Sequence, residues 1–224
     1  MSNPSFVRRR LYGGALLLSL VTGCSALSST AIPPPSFFAL DRTGAPTAKS
    51  RLWQGGAKAT SAPTLIVNPP HAAAGFDSQR IVYVRKAHQL EYFSHSEWVD
   101  TPARMIVPLI VAATEESAAF RAVVLTPSAA AGDLRLDTEI VRLQQEFGAT
   151  PGRVHFTLRA SLVDNTTRRV LAQREFDETM STASDDPRSG VVAANQAVQV
   201  VLEKLAGFCA ETARAFSSDN PGTR

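Results

Sequence analysis

Hydrophobic and polar positions along this chain change period several times, and each change predicts an element. Leu11 to Val21 is a continuous apolar run of 11 residues, preceded by Arg8, Arg9 and Arg10. Ser36 to Leu40 predicts a short first strand, and 41–63, rich in Gly, Ala, Thr and Lys, predicts a long loop. Thr64 to Val67 is β-branched and apolar and stops at Asn68-Pro69-Pro70. Arg80 to Arg85 and Gln89 to Phe93 predict a strand pair, and Phe120 to Leu125 a further strand. The clearest alternation lies in Arg153 to Asp164, where Val154, Phe156, Leu158, Ala160 and Leu162 alternate with His155, Thr157, Arg159 and Ser161. Asp164-Asn165-Thr166-Thr167 is turn chemistry, and Arg168 to Met180 returns as the next strand. In Asp133 to Phe147 the apolar positions change parity, from Leu134, Leu136 and Ile140 to Val141, Leu143 and Phe147, so a bulge is expected near Ile140.

Two segments carry the helical period instead. Asp100-Thr101-Pro102 supplies a cap residue and a proline for the first turn. Met105, Ile106, Leu109, Ile110 and Ala113 then line one side as far as Glu116, with Pro108 inside and expected to kink the helix or delay its regular start. After Asp185-Asp186-Pro187, the residues Val191, Ala194, Val198, Val201, Leu202, Leu205, Phe208, Cys209 and Ala213 form an apolar stripe over about six turns. The fold class expected is a single α+β domain. It has a mixed, mainly antiparallel sheet whose last three strands form a meander, and two main helices packed on it.

The first apolar run locates the protein. It is shorter than the roughly 18 to 20 residues a membrane-spanning helix needs. With its arginine n-region it has the layout of an export signal. Leu18-Ser19-Leu20-Val21-Thr22-Gly23-Cys24 closes it like a bacterial lipobox, in which the cysteine thiol is lipidated and becomes the new N-terminus. Expected boundaries are therefore 1–23 signal peptide, 24–35 lipidated N-terminus and Ser/Pro tether, 36–216 folded domain and 217–224 disordered tail. Charge must be read after that cut. The chain has 23 Lys and Arg against 20 Asp and Glu, and the three arginines of the signal account for the excess. A balanced mature chain of 201 residues gives no electrostatic case for nucleic acid.

Candidate chemistry is sparse. His71, His88, His95 and His155 form no pair at metal-binding spacing, and there is no His-Glu-x-x-His or Cys-x-x-Cys arrangement. No Gly-x-Ser-x-Gly elbow, phosphate loop or dinucleotide fingerprint occurs, and Gly55-Gly56 lacks a helix start behind it. The expectation is no enzyme, no metal and no cofactor. Glu115-Glu116 read as solvated and Asp185-Asp186 as complements to a helix dipole. With Cys24 lipidated, Cys209 is left unpaired, and on the apolar side of its helix it reads as a small buried hydrophobe. Tyr92, Phe93 and Trp98 stand out between a strand and the first helix. They are either a core corner or a rim that contacts a partner protein or lipid.

The order of these residues resembles the ABC-type transport auxiliary lipoprotein family. The resemblance is carried by Gln79-Arg80-Ile81-Val82-Tyr83, Leu90-Glu91-Tyr92-Phe93, Glu97-Trp98-Val99, Pro102 with its apolar helix, and Leu136-Asp137-Thr138-Glu139-Ile140 leading to Phe147. It continues through the hairpin from Val154 to Phe176 into the terminal Ala- and Val-rich helix, covering roughly residues 36 to 213. Pro108 and the long 41–63 segment depart from the pattern. The resemblance implies a non-enzymatic envelope lipoprotein, similar to the paraquat-inducible lipoprotein, working with an MCE-domain protein and an ABC transporter in lipid traffic between membranes. It also implies phospholipid among the partners, without saying which lipid is carried, and ring-like homo-oligomers at the outer membrane. Ser25 follows the cysteine, where an aspartate would imply retention at the inner membrane, so outer-membrane attachment facing the periplasm is expected. The sheet-and-helix layout alone does not exclude the alternative, an accessory outer-membrane lipoprotein that assembles or activates another envelope machine such as a cell-wall synthase or a lipopolysaccharide exporter.

Overall fold

The computed structural model describes residues 34–42, 62–148 and 150–219. Its organising element is β7 (Leu134–Glu146), which has neighbours along both edges. One edge pairs antiparallel with β8 (Arg153–Asp164), which pairs antiparallel with β9 (Val170–Ser181). The meander closes through the expected turn, where the Asp164 carboxylate accepts hydrogen bonds from the Thr166 and Thr167 N–H groups and from the Thr167 hydroxyl. Arg168 takes the left-handed conformation (φ 61°) that the turn requires. The β7–β8 register shifts between Ile140 and Arg142, so Val141 is the extra residue and the parity change in the sequence is a bulge.

The other edge of β7 is shared by three short parallel strands. β2 (Thr64–Val67) pairs with its start, β3 (His71–Ala72) with its middle and β4 (Arg80–Val84) with its end. β6 (Ala122–Leu125) extends the sheet from β2 in parallel. β5 (Glu91–Trp98) extends it from β4 antiparallel, and β1 (Ser36–Phe38) lies parallel against β5. The result is a mixed nine-stranded sheet in which the long pairings are antiparallel.

Both helices cover one face. α1 (Pro102–Glu116) buries Met105, Ile106, Leu109 and Ile110, and Pro108 lies inside it without ending it. Its N-cap is Thr101, which makes no side-chain capping bond, and Pro102 occupies the first turn. Asp100 instead accepts the Thr101 N–H and pairs with Arg104. α2 (Pro187–Asp219), about 50 Å long, lies across β8 and β9. Asp186 starts it by accepting the Ser189 N–H at 3.0 Å. Every stripe residue expected to face inward does so, against Val154, Phe156, Leu158, Ala160 and Leu162 of β8. Phe176 of β9 meets Phe208 edge to face at 5.9 Å. The expected tail boundary at Ser217 is too early: α2 continues to Asp219, and the Ser217 hydroxyl donates to the Ala213 carbonyl.

Candidate partner-contact surface

The sequence offers one covalent position, Cys24, which lies outside the described residues. Its three aromatic candidates all fall on β5, and the fold separates them. Trp98 is 3% exposed, aligned with Phe38 of β1, and belongs to the core. Phe93 is half-buried in a cluster with Tyr83 and Phe147, at centroid distances of 4.5 and 6.2 Å. Arg85 caps that cluster, its guanidinium 4.9 Å from the Tyr83 ring and 6.0 Å from that of Phe147. Tyr92 is 37% exposed and carries the guanidinium of Arg80 over its ring at 4.9 Å.

Tyr92, Arg80 and the exposed Leu90 therefore offer a side chain pre-stacked by a cation with an apolar neighbour. Tyr and Arg are among the residue types enriched at the energetic centres of protein interfaces, Tyr because it buries a large area with few rotors and Arg because its planar guanidinium stacks and hydrogen-bonds at once. Sequence reasoning missed Arg80, Arg85 and Tyr83 as members. Their only signal was membership of the adjacent strand. Burial, and after it the hydrogen bond that its hydroxyl donates to Glu91 at 3.1 Å, raise the Tyr83 pKa.

A second exposed apolar region lies where the chain enters the domain. Phe37 and Val192 are both more than half exposed and line one depression of about 310 Å³ between β1 and α2. Asn195 locks the strap that leaves β1. Its Oδ1 accepts the Asp41 N–H at 2.8 Å, and its Nδ2 donates to Ala39 and Val191 carbonyls at 3.1 Å. Arg42 continues the strap onto the end of α1 with two bonds to Glu116, at 2.7 and 3.3 Å, which raise the Arg42 pKa.

The outer face of the meander is polar and cross-linked. Arg159 bridges Glu139 and Glu175, each at 2.9 Å, along one rung of the three strands. His155 lies between Thr179, 3.1 Å from its Nδ1, and Glu146, 3.2 Å from its Nε2. His71, His88 and His95 are exposed and apart from it. Among the described residues no three His, Cys, Asp or Glu side chains converge to hold a metal. Cys209 is fully buried, and loss of solvent pushes its thiol up to about 12, which fits a packing residue. Among the described residues no helix is long and apolar enough to cross a membrane.

The model of the ABC-type transport auxiliary lipoprotein component family matches residues 50–206, well over half of the chain. The chain belongs to that family. The fold agrees: protein XCC0632 from Xanthomonas campestris, a crystal structure assigned to family DUF330, is 25% identical, with a TM-score of 0.65 over 70% of this chain and 89% of that one. A further crystal structure, of an uncharacterised protein, shares the fold at 12% identity and a TM-score of 0.60, covering 79% of this chain and 99% of that one. No curated protein matches the chain. The chain is thus an auxiliary lipoprotein component of ABC-type transport.

Proposed function

We propose that this auxiliary lipoprotein is anchored through Cys24 in the outer membrane, faces the periplasm, and serves as the docking subunit of an ABC/MCE-type lipid transport system. The observation that carries the reading is the coincidence of two independent signals. The family match covers residues 50–206, most of the folded domain, and the lipobox ends at Cys24, 12 residues before β1. Acyl chains at Cys24 supply the anchor, since two or more give stable attachment where one is marginal. The tether then spans at most about 40 Å when extended, enough to hold the domain just off the bilayer. Tyr92, with Arg80 stacked on it, is the contact for the MCE-domain partner, and Phe93 and Trp98 support that strand from beneath.

Intact-mass analysis and membrane flotation of the native protein test the anchor. A diacylglyceryl-modified N-terminal cysteine in the outer-membrane fraction is expected, with Cys24→Ser released into the periplasm. An unmodified thiol on a freely soluble wild-type protein would overturn it.

A further inference from the structure

The apolar depression at the entry of the chain has no part in the Tyr92 contact, and water covers side chains there that are costly to leave wet. Phe37 of β1 is 59% exposed and Val192 of α2 55%, and both line the depression of about 310 Å³. Val99, 51% exposed, adjoins the same strand, its N–H donating to the Phe38 carbonyl at 2.8 Å. The polar part of the lining is mostly uncharged: Asn195, Gln196 and Gln199 supply carboxamides, and Asp41 is the one charged residue. Carboxamides cross into a less polar medium at far lower cost than charges do. Asn195 ties the strap to α2 through its bonds to Asp41, Ala39 and Val191, so the walls are preformed.

The chain in front of the patch indicates what covers it. Phe37 follows Cys24 by 13 residues, so a bilayer that holds Cys24 is never farther from Phe37 than about 45 Å. At that reach the lipid surface is present at high effective concentration, and a patch too small to bind a membrane from solution suffices. We propose that Phe37 and Val192 form a membrane-contact site for the phospholipid bilayer. Both enter the headgroup boundary as shallow apolar anchors, and the carboxamides donate hydrogen bonds to ester and phosphate oxygens of the lipid. The domain then rests on the bilayer by its β1 edge, and β9, at the far end of the pairing order β1-β5-β4-β7-β8-β9, stays clear of lipid. The inference rests on the Cys24 anchor for proximity. It adds an orientation that acyl chains on a tether do not set.

Fluorescence depth quenching tests it on the lipidated protein in vesicles of phosphatidylethanolamine and phosphatidylglycerol. Val192→Cys and, as a control on exposed β9, Gln173→Cys are each labelled with an NBD fluorophore, while Cys209 is buried and does not compete. The Val192→Cys label should lose about half or more of its emission to a shallow doxyl lipid, since interfacial anchors sit roughly 5–10 Å into the headgroup boundary. The Gln173→Cys label should lose none. Adding Phe37→Asp should bring the Val192→Cys label down to the control level, with circular dichroism confirming the fold. The mature chain with Cys24→Ser, held by an N-terminal hexahistidine on a nickel-chelating lipid, separates this inference from the anchor. Quenching of the Val192→Cys label is expected there too, whether or not native Cys24 carries lipid. A label at that site left unquenched in the nickel-tethered form, equal quenching at both sites, or a signal indifferent to Phe37→Asp would each overturn the proposal.

Discussion

Gly190 is the position at which the packing of α2 on β7 can be broken most selectively. A Cβ added there would lie 2.1 Å from Gln145 Oε1 and 2.7 Å from its Cδ. Gln145 is buried at 2% exposure, and its Nε2 donates to the Asp186 carbonyl at 3.4 Å, beside the start of α2. Two effects oppose each other in Gly190→Ala. Replacing glycine in a helix gains roughly 1 kcal/mol. Moving Gln145 aside loses its hydrogen bond, roughly 0.5–1.5 kcal/mol, and overpacks the junction, roughly 1–3 kcal/mol. Clash wins, and Gly190→Ala should destabilise the domain by about 1–3 kcal/mol, lowering Tm by roughly 2–4 °C per kcal/mol. In a Gln145→Ala background the obstacle is gone, and the same substitution should instead stabilise by up to about 1 kcal/mol. Urea unfolding of the four proteins in this cycle gives the coupling directly. A Gly190→Ala protein at least as stable as wild type, or the same effect in both backgrounds, would refute the steric argument.

Three further outcomes are expected. Asn195→Ala removes the bonds to Asp41 and Ala39, so hydrogen exchange should rise at residues 39–41 while global stability falls by only about 1–2 kcal/mol. The Thr167 hydroxyl and backbone hold Asp164 below the ordinary aspartate range, and Ser184 and the Ser189 N–H do the same for Asp186. Their stabilisation is complete above the unfolded-state value of about 3.9 and is lost as the pH falls through the lower folded values. Thr167→Val should therefore flatten the acid limb of stability against pH. Cys209, buried with its thiol at about 12, should resist maleimide in the native protein at pH 8 and react on unfolding. Rapid native labelling would contradict its placement.

The elements that could be read from the sequence were those whose side-chain period reports burial directly. β8 alternates as far as its apolar face is concerned, although Thr157 on the other face is also buried and bonded to Asp177. The α2 stripe keeps to three and four, and the parity change in β7 marks the bulge at Val141. Period reports which face is buried but says nothing about which strands are neighbours. The parallel pairing of three strands on the second edge of β7 therefore left no trace, although β2 and β4 were legible as strands, and β3, two residues long and directly after Pro69-Pro70, had no pattern to show. The same limit applied to the aromatics. Tyr92 and Trp98 are six residues apart on one strand, yet Trp98 lies against Val191 and Ala194 of α2 while Tyr92 is exposed under Arg80. Whether a strand position is covered depends on where a helix 90 residues later comes to rest. Asn195, polar within an apolar stripe, was a visible irregularity whose partners at Ala39 and Asp41 only the fold supplies.

Docking on an MCE-domain partner is the claim at the centre of this account, and binding of the two purified proteins tests it most directly. The full-length chain held in lipid nanodiscs would be titrated with a soluble MCE-domain protein from the same organism. Saturable binding is the result predicted, weakened by about tenfold when Tyr92→Ala removes the exposed anchor. An absence of saturable binding up to about 100 μM, where even a weak specific contact registers, would contradict the account.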